Sequence, residues 1–291
     1  MTCRIHRAMR ESGASLVRGW KPLCFCILIL VLNGLPACAQ SLTTNVVSDA
    51  SSDASSEVLA RARTSVERLL ERSANISCTE SVTQSILDRF DRSAYEEHSL
   101  FNYRLQADTR ANSVKFVESR EELQAPFHDP RRTVLITDGF GNMLLVLHPA
   151  YAASYTFEPD GDEILGGVRT IRFRFQSVPG ATSPVMLRIR GQNYSVALDG
   201  TVWIEPQQGA VVKLIAFSGS GMSELGIQSM SSEIQYTPAE IDDSEEPYWV
   251  PASAVIDVET ASRHWHWRNI HRFTAYKRVQ ATTAATEKNG N

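Results

Sequence analysis

Apolar and polar residues alternate over most of this chain, and Tyr194–Ser218 carries the alternation best. It reads YSVALDGTVWIEPQQGAVVKLIAFS, three short apolar runs separated by Asp199-Gly200 and by Pro206-Gln207-Gln208-Gly209. Asp-Gly supplies the positive φ angles of a tight hairpin, and Gly209 does the same once Pro206 has fixed the entry. Val202, Ile204, Val211, Val212, Leu214 and Ile215 suit a pleated, half-buried surface. The stretch is predicted as an antiparallel meander with no room for a crossover helix, which argues against a nucleotide-binding fold of the βα type.

The same period predicts strands over Ile76–Leu87, Leu100–Asp108, Ser113–Ser119, Thr133–Thr137, Met143–Leu147 and Tyr151–Phe157. It continues over Val168–Gln176, Val185–Arg190, Tyr194–Leu198, Thr201–Ile204, Val211–Phe217, Gly226–Tyr236, Tyr248–Val258 and His264–Lys277. In Thr170–Gln176, Ile171, Phe173 and Phe175 face one way and Arg172 and Arg174 the other. Asp138-Gly139, Asp160-Gly161 and Pro179-Gly180 add turn signals. The period changes once, in Glu57–Arg72 (EVLARARTSVERLLER), where Val58, Leu59, Ala62, Val66, Leu69 and Leu70 share one helical face.

A helix ahead of more than ten antiparallel strands predicts an α+β fold. A sheet that wide must curl, split or close. The expected form is a strongly curved antiparallel half-barrel with the N-terminal amphipathic helix packed on its concave side. Trp203 either points into that concavity or stands on the face opposite Val202 and Ile204; the alternation allows both.

The N-terminus changes the picture. Arg4, Arg7, Arg10, Arg18 and Lys21 precede an apolar run from Leu23 to Leu35 and the small-residue sequence Pro36-Ala37-Cys38-Ala39-Gln40. A basic segment, a short apolar segment and an Ala-x-Ala site predict a secretory signal peptide over residues 1–39. The run is shorter than the ~20 residues that span a bilayer. Translation from Met9 leaves a leader of more ordinary length. Cleavage after Ala39 releases a soluble protein. Leu35-Pro36-Ala37-Cys38 also resembles a bacterial lipobox, which makes Cys38 a lipidation candidate and the only route to a membrane; Pro36 favours soluble export. Residues 40–56 are expected as a flexible spacer, 57–280 as the half-barrel domain and 281–291 as a disordered tail.

Composition narrows function mainly by exclusion. Losing the leader removes a net +4 from the formal −4 and leaves −8, an acidic surface that speaks against nucleic acid. Only Cys78 remains outside the leader, so no internal disulfide is expected, and its alternating surroundings predict a small buried residue. Ser218-Gly219-Ser220-Gly221 lacks the first glycine of a nucleophile elbow. Glu96-Glu97-His98 is not the zinc pattern HExxH and reads as a solvated turn. Glu240, Asp242, Asp243, Glu245 and Glu246 lack the spacing of a calcium loop. His264-Trp265-His266-Trp267-Arg268 is the sharpest cluster: its histidines share one strand face and its tryptophans the other. Solvated histidines and cavity-lining tryptophans are favoured over metal binding, and no cofactor is expected.

Several segments together carry a family likeness. They are Gly166–Phe173 (GGVRTIRF), Thr201–Pro206 leading to Val211–Leu214, the Tyr248-Trp249-Val250-Pro251 strand entry and the closing Phe273-Thr274-Ala275-Tyr276. With the order leader, amphipathic helix and meander, they resemble the periplasmic lipoprotein-carrier superfamily of LolA and LolB. The resemblance covers most of residues 57–279. It implies a non-enzymatic half-barrel that shelters acyl chains or a lipidated protein, working as a monomer in the periplasm or at the outer membrane. On that basis Trp203, Phe173, Phe175, Trp265 and Trp267 are the expected ligand-lining residues. The expected function is an exported, non-catalytic binding protein of the cell envelope that holds a lipid, acyl chain or other hydrophobic ligand. The alternative is a structural or protein-interaction module of the envelope.

Overall fold

Ile76–Leu87 forms a strand, β1, whose inward side chains include Cys78, Glu80 and Val82, all buried. The computed structural model describes residues 45–73, 75–108, 114–124, 137, 139–189, 192–218, 222, 226–241, 246–261 and 266–279. The leader with Cys38, the tail, most of the expected Thr133–Thr137 strand, His264 and Trp265 lie outside them. The helix α1 runs from Asn45 to Arg72. It begins well before Glu57, inside the stretch expected as spacer.

The remaining strands are β2 (Ser93–Asp108), β3 (Lys115–Gln124), β4 (Tyr155–Leu165), β5 (Val168–Ser177), β6 (Met186–Ile189) and β7 (Gln192–Ser195). After them come β8 (Leu198–Ile204), β9 (Val211–Ser218), β10 (Ile227–Ala239), β11 (Tyr248–Thr260) and β12 (His266–Arg278). Ten of them form one antiparallel sheet in the order β3-β2-β1-β12-β11-β10-β9-β8-β5-β4, while β6 and β7 form a separate ribbon. The first strand of the domain therefore pairs with the last, in the register Glu80↔Phe273 and Val82↔His271.

The sheet is strongly curled. Laid flat, nine spacings of about 4.8 Å would hold its edges ~43 Å apart. Yet Tyr151, four residues before β4, donates its hydroxyl to the carbonyl of Val114, which immediately precedes β3, at 3.0 Å. Four residues span at most ~14 Å, so the two edge strands approach each other across the concave side.

The segment that makes this bridge overturns two expectations. Met143–Leu147 and the start of Tyr151–Phe157 are helical: a single α turn, α2 (Phe140–Met143), is followed by 3₁₀ turns over Leu144–Leu147 and Pro149–Ser154. Met143, Leu144, Leu145, Val146 and Leu147 are all buried. An apolar run enclosed on every side has no period of two to hold it as a strand. Here it forms a plug inside the half-barrel. Val58, Ala62, Val66 and Leu70 of α1 join the plug and the inward faces of the strands in one core.

Asp199-Gly200 is the other correction. It lies within β8 and makes no hairpin; β7 pairs with β6, not with β8. A Cβ at Gly200 would fall 2.6 Å from the Phe175 ring and 2.1 Å from the Ile215 carbonyl oxygen. The glycine answers a close approach of side chain and backbone rather than a turn. Asp160-Gly161 likewise sits in β4 at a register shift, and Glu96-Glu97-His98 lies in β2 instead of a turn.

Candidate functional site

Pro206–Gly209 does make the predicted turn, between β8 and β9, and it builds one wall of a cleft beside α1. The Glu205 carboxylate accepts the backbone N–H groups of Gln207 and Gln208, and the Gly209 N–H returns to the Glu205 carbonyl at 3.0 Å. Gly209 has φ +70°, and a Cβ there would lie 2.3 Å from the Arg61 carbonyl carbon. Its missing side chain lets α1 rest directly on the turn.

The cleft has a volume of about 540 Å³, within the ~300–1,000 Å³ usual for small-molecule sites. Val66 and Leu69 of α1, Leu144 of the plug, Val211, Tyr236 and Trp249 give it an apolar lining. Tyr236 is buried and donates its hydroxyl to the Phe140 carbonyl at 3.4 Å, so plug and floor are tied together. The Trp249 indole N–H is buried with no acceptor among the described residues. An orphaned buried donor costs ~1–3 kcal/mol.

The opposite wall is charged. Arg61, Arg68 and Arg72 line the cleft from α1. Arg68 Nη1 donates to both carboxylate oxygens of Glu246, at 3.3 and 3.1 Å, and Arg72 Nη2 donates to the Glu246 carbonyl at 2.8 Å. The Arg72 guanidinium lies 4.0 Å over the Tyr248 ring. These contacts are solvated, so each ion pair is worth ~0–1 kcal/mol. They position the charge at the mouth of the cleft more than they hold the fold.

The aromatic residues singled out from the sequence lie elsewhere. Phe173 and Phe175 belong to the core, and Phe175 also borders a smaller depression of about 150 Å³ with Gly200 and Phe217. Trp203 stands opposite Val202 and Ile204: its Nε1–H donates to Glu163 at 2.8 Å, and Lys213 Nζ lies 5.3 Å over its ring. Trp267 is partly buried against the core, while His266 and Arg268 share the Asp257 carboxylate at 2.6 and 2.7 Å. Trp249 and the Arg61/Arg68/Arg72 stripe were missed as lining residues. The available signal was the spacing i, i+7, i+11, which places three arginines on one side of a helix.

A second constellation lies on the inward face at the β1–β3 end. His271 Nδ1 is 2.8 Å from Glu80 Oε1, and His271 Nε2 is 2.7 Å from Thr137 Oγ1, which also accepts from Asn269 at 3.1 Å. Arg120 grips Glu80 through Nε and, at 2.8 Å, through Nη2. Glu118 accepts the backbone N–H groups of Gly139 and Gly141 at 2.8 and 2.9 Å. Burial opposes ionisation of Glu80, but the hydrogen bonds from His271 and Arg120 prevail and lower its pKa. Burial also lowers the pKa of His271 against the pull of Glu80. A neutral imidazole donating from Nδ1 and accepting at Nε2 satisfies every partner.

Hydroxyl, imidazole and carboxylate in a row have the order of a nucleophilic relay. Neither described cleft is lined by Thr137, His271 or Glu80. The row instead fastens Thr137, and with Glu118 the start of α2, to three strands. Cys78 is enclosed nearby, and burial pushes its thiol up to about 12, which keeps it protonated at neutral pH.

No family model and no curated protein matches the chain. Solved structures similar to it include a putative outer membrane lipoprotein-sorting protein domain from Vibrio parahaemolyticus, at 10% identity and TM-score 0.39, covering 79% of this chain and 94% of that one. A DUF1329 family protein from Desulfovibrio piger aligns at 8% identity and TM-score 0.37, over 76% of this chain and 92% of that one. A LolA superfamily protein from Nitrosomonas europaea aligns at 12% identity and TM-score 0.32, over 75% and 94%. The strand order and the curl, not these scores, define the fold.

Proposed function

We propose that this chain is an exported, non-catalytic binding protein of the cell envelope that holds a hydrophobic ligand, a lipid or acyl chain, in the cleft between α1 and the β9–β11 strands. The observation that carries the reading is the 540 Å³ cleft itself, with its apolar floor and a wall stiffened by the Glu205 turn. Burial of Leu144–Leu147 inside the half-barrel favours this cleft over the interior as the place for a ligand. Export rests on the basic and apolar pattern of residues 1–39.

Native mass spectrometry of the protein purified from its own envelope tests the reading. Lipid is expected to leave with the folded domain, and Leu69→Arg is expected to release it. A lipid-free domain that retains one stoichiometric protein partner would instead favour an interaction module. Edge strand β3, with Val117 and Leu123 exposed, is the surface for that alternative.

A further inference from the structure

A charged wall beside an apolar floor discriminates among hydrophobic ligands. Arg61, Arg68 and Arg72 stand on one stripe of α1, and all three line the cleft. Among the described lining residues the single acid is Glu246, and it sits against that stripe. Arg68 Nη1 spans its two oxygens, and Arg72 Nη1 is 3.9 Å from one of them. The Glu246 side chain is 63% exposed, so it occupies the mouth rather than the interior. Its carboxylate stands where the head of a ligand would stand if the tail lay on Val66, Leu69, Leu144 and Trp249.

We propose that this is an anion subsite filled from within, and that the ligand is an amphipathic anion, a long-chain carboxylate or phosphate ester, whose head exchanges with the Glu246 carboxylate. The inference rests on the reading of the cleft as a hydrophobic-ligand site. The exchange trades one solvated arginine–anion contact for another and is close to balanced. The tail therefore supplies affinity through apolar burial, while the head supplies selectivity. Glu246 acts as an internal competitor that keeps the arginines paired in the empty protein and turns away uncharged amphiphiles, which cannot replace it.

The test is calorimetric titration of the whole exported chain with dodecanoate, dodecyl phosphate and uncharged dodecanoylglycerol. At least one anion is expected to bind about fivefold tighter than the glyceride, and the preferred head identifies carboxylate or phosphate. Glu246→Gln is expected to strengthen anion binding by a similar factor, and glyceride binding by about as much, because neither ligand then has to break the Glu246–arginine pair. Arg68→Gln is expected to erase the preference; both side chains are exposed, so neither change should unfold the protein. Equal affinity for all three amphiphiles overturns the anion subsite and leaves the cleft reading standing. An anion preference that survives Arg68→Gln combined with Arg72→Gln places the head elsewhere and also overturns it. No binding of any of the three overturns both.

Discussion

His271 shows how much one buried side chain can govern. It is 2% exposed and bonded at both ring nitrogens. Burial depresses its pKa below the ordinary imidazole value of about 6.5. Between that value and the lower folded one, the unfolded chain binds the extra proton, so stability falls as pH drops below about 6.5. Glu80, also depressed, contributes stability above the ordinary carboxylate range that is lost as pH falls through its folded value. Urea midpoints measured from pH 7.5 to 5 should therefore decline, and His271→Gln should flatten that decline while lowering the midpoint throughout. An unchanged slope in the variant would remove His271 as the cause.

At the scale of elements, the plug is the least expected part of the molecule and the most exacting. Leu145 is completely enclosed, so Leu145→Ala should cost about 2–5 kcal/mol in equilibrium unfolding. A loss below ~1 kcal/mol would mean that the plug is not packed as described. Much of the fold around it was legible in the sequence. Cys78 and Val82 turn inward as the alternation over Ile76–Val82 predicts, and the observed strand has the expected bounds Ile76–Leu87. Phe173 and Phe175 turn inward while Arg172 pairs with Asp160 and Glu163 outside. Phe140–Leu147 was not legible, because an unbroken apolar run fits a buried helix as well as a buried strand. Gly200 misled because glycine signals both a turn and a close approach, and only the Phe175 ring decides which. The cleft was hidden for a related reason: its lining comes from residues far apart in sequence, and aromatic content alone pointed to Trp203 rather than Trp249.

For the molecule as a whole, curvature is the organising property. It brings the edges β3 and β4 to opposite ends of one short helical segment, with the Tyr151–Val114 hydrogen bond as the tie. Tyr151→Phe removes that tie and leaves a carbonyl to be satisfied by solvent, at a cost of ~0.5–1.5 kcal/mol. Hydrogen exchange should quicken at the β3 and β4 edges and stay unchanged in the central β11–β10 pair. Uniform quickening across the sheet would contradict a local bridge.

The pairing of β1 with β12 sets a clock on biogenesis. Roughly 190 residues separate the starts of the two strands, which at ~5–20 residues per second of synthesis is about 10–40 s. Throughout that interval β1 has an edge with no permanent neighbour, and the apolar plug has only part of its shell. A nascent chain in this condition needs a holding factor or rapid delivery across a membrane. A product cut short before β12 is expected to be a target for proteolysis and aggregation rather than a smaller working domain.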